Sequence, residues 1–270
     1  MNDAPFGPGP FLIAGPCVLE DERLNLTVAE RLARMAERLG IAVTYKASFD
    51  KANRSRLRGA RGPGLEEGLR ALAKVRETSG LPVLTDVHEP DQAVLAAAVV
   101  DVIQIPAFLC RQTDLLLAAG RTGSPVNVKK GQWMSAEGMA GALEKVRRGG
   151  TTAVAVTERG TFFGYGDLVV DMRNFARLRA ACGAPVIFDA THSVQQPGKG
   201  EDGASGGLRE HIPALLLAAA AAGADGFFLE THPDPAHALS DGPNMIPLLE
   251  LEDLVERTLE VWHAARRDRP

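Results

Sequence analysis

Residues 45 to 56 read Tyr45, Lys46, Ala47, Ser48, Phe49, Asp50, Lys51, Ala52, Asn53, Arg54, Ser55, Arg56, so four cations, two serines and an amide follow a short apolar run. Lysine offers a compact positive charge, and arginine a planar fork of donors matched to phosphate or carboxylate oxygens. Serine and asparagine add neutral hydrogen bonds that fix orientation. Such a segment is suited to holding anions. The plain alternative is a solvated basic loop, because charge runs are commonly surface.

Other residues extend this chemistry. Lys129 and Arg159 also follow apolar runs, and together with Lys46 and Lys51 they make a set of cations that is costly to gather unless a polyanion or carboxylates such as Asp86 and Glu158 compensate. Lys129 is also placed as a Schiff-base lysine would be. A second constellation is Cys17, His192, Glu230 and Asp241, whose thiol, imidazole and two carboxylates suffice to ligate a divalent transition metal such as zinc, iron, manganese or cobalt. His88 and His232 are competing ligands, and a lone cysteine is more often a small buried residue. Gly198, Gly200, Gly203, Gly206 and Gly207, mixed with Lys199, Glu201 and Asp202, suit a lid over ligand or an ordinary surface loop.

These residues need a scaffold that brings them together. Apolar runs at 11–14, 42–45, 82–84, 102–105, 126–128, 153–156, 185–188 and 226–229 predict about eight strands at roughly thirty-residue spacing. Amphipathic stretches at 23–39, 65–78, 92–100 and 136–148 carry apolar residues on a helical period, with Gly40, Gly80 and Gly149 expected as C-caps. Alternation of this kind predicts a parallel sheet, and eight units predict closure into a single-domain (β/α)8 TIM barrel spanning 1–270. A doubly wound open sheet is the alternative, weakened by the lack of a glycine-rich nucleotide turn after an early strand. In a barrel the strand tips Cys17, Lys46 with Ser48, Asp86 with His88, Gln104, Lys129 with Lys130, Glu158 with Arg159, Asp189 with His192 and Glu230 with His232 converge on the carboxyl-terminal mouth, where barrel enzymes keep their sites.

Composition removes other classes. With 30 basic and 34 acidic side chains in 270 residues, the formal charge of −4 argues against nucleic acid as partner. Hydrophobic residues at 45% and charged residues at 24% allow a sizeable core. Three widely spaced cysteines make no disulfide framework. No secretory signal or membrane-length apolar run is present, and the expectation is a soluble, cytoplasmic protein without a membrane partner.

Segments 13–17, 45–56, 104–114, 126–132, 157–164, 189–195 and 230–241, in order along the chain, resemble the 3-deoxy-D-manno-octulosonate 8-phosphate synthase family. The resemblance implies a (β/α)8 barrel, generally tetrameric, that condenses phosphoenolpyruvate with arabinose 5-phosphate and releases phosphate in lipopolysaccharide biosynthesis. It implies that Lys46, Ser48, Lys51, Gln104, Ala107, Lys129 and Arg159 hold phosphoenolpyruvate, that Asn53, Arg54 and Ser55 hold the sugar phosphate, and that Phe108 and Arg111 reach the sugar phosphate of a neighbouring subunit. Asp86 is counted among the substrate-binding residues. Lys46, Lys51, Lys129, Arg159, His192 and Asp241 are the expected catalytic set, acting by electrostatics rather than through a covalent intermediate, which displaces the Schiff-base reading. Cysteine at position 17, where metal-independent members have asparagine, implies the metal-dependent class with Cys17, His192, Glu230 and Asp241 as ligands. The related enzyme acting on erythrose 4-phosphate is the nearest rival, but its second-strand motif runs Lys, Pro, Arg, Thr where this chain has Lys51, Ala52, Asn53, Arg54, Ser55. A non-catalytic phosphosugar sensor is a rival of another class, and it has no need of the metal set. Segment 133–138 has no counterpart to carry over, and segment 199–206 is similar to the family's only in character.

Overall fold

The computed structural model describes residues 5–53, 59–196, 199 and 206–267. Eight parallel strands, Phe11–Gly15, Ala42–Lys46, Val83–Asp86, Val102–Ile105, Val126–Lys129, Val154–Glu158, Val186–Asp189 and Gly226–His232, pair in chain order. The first pairs with the last from Phe11 with Gly226 to Gly15 with Glu230, which closes the barrel. All eight expected strands are present, and the open-sheet alternative is excluded.

Helices Glu22–Leu39, Leu65–Ser79, Pro90–Ala97, Thr113–Arg121, Ala136–Gly149, Asn174–Cys182, Ile212–Ala222 and Leu251–Ala264 stand between or after the strands. Capping residues fix several of their ends. Asp21 accepts the Leu24 amide and Ser135 the Gly138 amide, and Gly40 and Gly80 close helices in the left-handed conformation. The helix expected at 92–100 starts earlier, at Pro90, because the Gln92 side chain accepts the His88 amide at 2.8 Å and proline suits a first helical turn. Gly149 is not a C-cap. It is the last helical residue, Gly150 caps instead, and a Cβ on Gly149 would stand 2.7 Å from the Gly120 Cα of the adjacent helix. Glycine is needed there for close helix contact rather than for a turn.

Alternation along the strands sorts the interior from the outer layer. Phe11, Ile13, Leu84, Val102, Ala155, Ile187 and Phe228 form one apolar cluster inside the barrel, separate from the larger core between sheet and helices. A Cβ on Gly226 would lie 2.3 Å from the Phe11 ring, so this glycine makes room for the phenylalanine at the barrel floor. Two small additions frame the mouth: a hairpin of Thr161–Gly164 with Asp167–Val169, and a pairing of Gln195–Gln196 with Gly206–Gly207.

Candidate active site

At the carboxyl-terminal ends of the strands lies a cavity of about 1080 Å³, lined by Lys46, Ser48, Lys51, Asn53, Asp86, Gln104, Ala107, Phe108, Lys129, Arg159, His192, Glu230 and Asp241 among others. Cys17 is wholly buried and reaches the same place through Lys51 and Asp241. Thus strand-end residues from nearly the whole length of the chain meet in one site. Arg54 and Ser55 lie outside the described residues. Arg111 is exposed and does not line the cavity.

Each buried lysine at the mouth has a carboxylate. Lys46 Nζ lies 3.1 Å from Glu230 Oε1, Lys51 contacts Asp241, and Lys129 contacts Asp189. The partners are therefore not Asp86 and Glu158, the sequence-based candidates. Asp86 accepts from the Ser48 hydroxyl and lies 3.2 Å from His88 Nε2. Burial pushes its carboxyl up, but the His88 ring, Lys46 and Ser48 outweigh this and hold it well below the usual carboxylate range. Asp189 is likewise held low, against burial, by His192 and Lys129. Burial pulls the Lys129 ammonium down to about 8 despite the opposing Asp189 charge.

Arg159 differs. Burial pulls its guanidinium down, Nη2 donates to Gln195 Oε1 at 3.0 Å, and Nη1 is buried without a hydrogen-bond partner. An orphaned guanidinium donor in a cavity is costly unless an anion completes it.

Cys17, Glu230 and Asp241 bring one ligand atom each within 4.8 Å of one another, a buried candidate metal site. His192 stands beside them, with Nε2 3.7 Å from Glu230 Oε2 and Nδ1 2.8 Å from Asp189 Oδ2. A carboxylate on Nδ1 leaves Nε2 facing the donor cluster, the usual support of a ligating imidazole. Glu230 Oε2 is buried with no hydrogen-bond partner, so a donor atom already points into the cluster unclaimed. Lys51 Nζ lies 2.7 Å from Cys17 Sγ and contacts Asp241, placing a positive charge against two of the donors. Burial and then the Glu230 carboxylate push the Cys17 thiol far up, a trend that a divalent cation reverses by favouring thiolate. The donor set fits a borderline-soft divalent ion.

Four tip residues do not join the site. Lys130 lies 3.3 Å from Glu158 Oε1 and 3.1 Å from the Gly160 carbonyl, because it has the opposite strand parity to Lys129 and points out of the barrel. Glu158 also accepts the Gly160 amide at 2.6 Å and the Asn174 side chain at 3.0 Å. His88 serves Asp86 and packs edge-on against Phe49, and His232 faces Glu20 at 3.3 Å. Neither histidine competes for the metal position. Gln132, Phe162, Gln195 and Arg209 line the cavity without having been expected there. Arg209 lies two residues past the last glycine of the glycine-rich segment, and Gln195 follows the His192 tip. Of that segment, residues 197, 198 and 200–205 lie outside the described residues, and its two flanks are held by the short pairing already noted.

Residues 6–265 match a family described as the DAHP synthetase I family. The chain belongs to the DAHP synthetase I family. Relatives within it carry a narrower name. The chain is 56% identical over 256 residues to the 2-dehydro-3-deoxyphosphooctonate aldolase of Rhodopseudomonas palustris (strain ATCC BAA-98 / CGA009), covering 95% of this chain and 89% of that protein. It is 57% identical over 248 residues to the protein of the same name from Nitrobacter hamburgensis, covering 92% and 86%, and 55% identical over 249 residues to that from Syntrophotalea carbinolica, covering 92% and 88%. The family match spans the whole barrel, from before its first strand to its last helix.

Proposed function

We propose that this chain is a 3-deoxy-8-phosphooctulonate synthase, the enzyme also named 2-dehydro-3-deoxyphosphooctonate aldolase. It condenses phosphoenolpyruvate with D-arabinose 5-phosphate and water to give 3-deoxy-D-manno-octulosonate 8-phosphate and inorganic phosphate. The observation that carries the reading is the buried Arg159 with its unpaired Nη1, facing a cavity that also holds Lys46 and Lys129. A small substrate with phosphate and carboxylate groups completes such a set.

In the reaction, C3 of phosphoenolpyruvate forms a bond to the aldehyde carbon of the open-chain sugar, whose oxygen takes up a proton. Positive charge develops at C2, water adds there and gives up a proton, and the hemiketal phosphate breaks its C–O bond to release phosphate. Lys46, Lys129 and Arg159 hold the phosphoenolpyruvate anion and steady the shifting charge, with Gln104, Ala107 and Ser48 fixing its orientation. Lys51 stands against two members of the donor cluster, Cys17 and Asp241, and Asn53 with Asp86 faces the sugar. Carry-over from the resembled motif assigns the sugar phosphate to Arg54 and Ser55.

Cys17, His192, Glu230 and Asp241 would hold a divalent transition metal, zinc, iron, manganese or cobalt, which when bound supplies a Lewis acid for the aldehyde or for water. Support comes from the orphaned Glu230 Oε2 and from Asp189 orienting His192. Phe108, which is half exposed and stacks on Trp133, and exposed Arg111 are proposed to reach a neighbouring subunit of a homotetramer. Residues 1–270 are read as one catalytic unit. No helix among the described residues is long and apolar enough to cross a membrane, and all three cysteines are buried and unpaired, which supports a cytoplasmic setting.

Phosphate release from phosphoenolpyruvate is the test, measured with arabinose 5-phosphate or erythrose 4-phosphate at matched concentrations, before and after prolonged chelation. Faster turnover of erythrose 4-phosphate refutes the acceptor, and full activity in metal-free protein refutes the metal.

A further inference from the structure

Glu20 and His232 lie outside the cavity, and the proposed chemistry leaves them without a task. Both are largely buried, with side-chain exposures of 13% and 4%. They sit where two loops that carry metal donors meet. The first loop leaves the first strand, passes Cys17 and reaches Glu20. The second leaves the eighth strand at His232, passes Asp241 and returns to the sheet at Ile246–Pro247, which pairs with Thr231 and His232.

His232 Nδ1 accepts the Asp234 amide at 2.9 Å, so the ring holds the start of the second loop, and Nε2 lies 3.3 Å from Glu20 Oε1. Nε2 makes no hydrogen bond, so this contact is one of proximity. Glu20 Oε1 also accepts the Leu239 amide at 3.4 Å, midway along the loop and two residues before Asp241. Glu20 is itself anchored, since buried Asn25 accepts its amide at 3.2 Å and donates to its carbonyl at 3.0 Å. Just beyond Leu239 the second loop folds tightly. Asp241 adopts a left-handed φ of 53°, and a Cβ on Gly242 would lie 2.2 Å from the Pro235 carbonyl oxygen. A non-glycine residue keeps such a backbone only where its surroundings hold it.

We propose that Glu20 and His232 are positioning residues that join the Cys17 loop to the Asp241 loop and thereby set the spacing of these two donors, whose Sγ and Oδ2 stand 3.2 Å apart. They act through the loops and touch neither substrate nor metal. The inference rests on the metal reading of the donor cluster and names what holds two of its members in register. Partners one step removed from a metal tune affinity by roughly ten- to hundred-fold.

The experiment is titration of cobalt(II) into full-length metal-free protein, followed by the thiolate-to-cobalt absorption band that reports Cys17, for wild type, Glu20→Ala, Glu20→Gln and His232→Ala. Folding is checked by circular dichroism and by thermal unfolding without metal. Expected are cobalt affinities lowered roughly ten- to hundred-fold in Glu20→Ala and His232→Ala, with an altered band, and substantial recovery in Glu20→Gln, which retains an acceptor for the Leu239 amide. Glu20→Asp, which keeps the charge but shortens the reach, gives the same loss and replaces Glu20→Ala if that variant does not fold. Wild-type affinity and an unchanged band in folded Glu20→Ala or Glu20→Asp overturn the inference while leaving the metal site standing. Absence of any cobalt band in wild type overturns the metal reading and this inference with it.

Discussion

The two ends of the barrel interior are built from the same strands on opposite principles. At the amino-terminal end Phe11, Ile13, Leu84, Val102, Ala155 and Ile187 fill the barrel with apolar side chains, and Phe6 packs on Phe11 with ring centroids 5.8 Å apart. At the carboxyl-terminal end Lys46, Asp86, Lys129, Arg159, Asp189 and Glu230 are buried charges. Between them a neutral layer is hydrogen-bonded across strands, Asn127 to Gln104 at 2.9 Å and Thr157 to Asn127 at 2.7 Å. Phe228 belongs to both ends: it packs into the apolar cluster, and Lys129 Nζ lies 3.1 Å from its ring centroid. Burial stabilises at one end, whereas at the other it costs free energy that charge pairing only partly offsets. The lower end supplies rigidity, and the upper end holds charges in place before a ligand arrives.

The division predicts separable mutational effects. Phe11→Ala should cost about 3–5 kcal/mol in unfolding free energy through the cavity it leaves, with kcat/KM within a few-fold of wild type. Denaturant unfolding and steady-state assay of the same preparation measure both. A loss of activity as large as the loss of stability would break the division.

Arg159→Ala reverses the pattern. Its side chain has no carboxylate within ion-pair distance among the described residues, so removal strands no buried partner charge. Phosphoenolpyruvate kcat/KM should fall roughly 10²–10³-fold, about 3–4 kcal/mol, with the unfolding midpoint unchanged. Lys46→Ala is a less clean probe, because it also leaves Glu230 unpaired. A parallel drop in stability for Arg159→Ala would mean that the guanidinium is structural.

The middle layer gives a smaller effect. Thr157→Val keeps the shape but removes the donor to Asn127 Oδ1, and should cost about 1–3 kcal/mol of stability with little change in KM. If KM for phosphoenolpyruvate rises sharply, the neutral layer is part of the ligand site rather than a support beneath it.

These layers were only partly legible in the sequence. Parallel strands read as continuous apolar runs because both faces are covered, so the number of strands and their polar tips were visible, but the phase of each strand was not. Lys129 and Lys130 illustrate the loss: adjacent in sequence, they face opposite sides of the barrel wall. Counting back by two from Lys129 reaches Asn127 of the neutral layer, a parity that separates them once one inward residue is known. Pairing was also hidden. Lys46 and Glu230 are 184 residues apart, and only barrel closure brings them together. Asp189 was visible as a tip, but its double service to Lys129 and His192 depends on strand register. Gly149 failed as a C-cap because a glycine needed for helix contact looks the same in sequence as one needed for a turn.

The finest test of the upper end is the pH dependence set by Lys129. Burial pulls this ammonium down to about 8 in the free protein, against about 10.4 in an unfolded chain. The folded state thus binds this proton less tightly than the unfolded state. The cost of burying the charge is fully present below about pH 8 and is relieved as pH rises toward 10.4, so this group alone makes stability increase with pH across that window. Ligand binding runs the other way, because only the ammonium form attracts phosphoenolpyruvate. The kcat/KM for phosphoenolpyruvate should therefore decline above pH 8, approaching tenfold per unit, whereas kcat should hold to higher pH because the bound anion favours the charged lysine. Phe228→Leu sharpens the comparison. It keeps an apolar floor but removes the ring face beneath Lys129, and should move the decline in kcat/KM to lower pH. A wild-type profile flat to pH 9.5 would show that Asp189 keeps Lys129 charged and that the two ends of the interior differ less in their treatment of charge than the geometry implies.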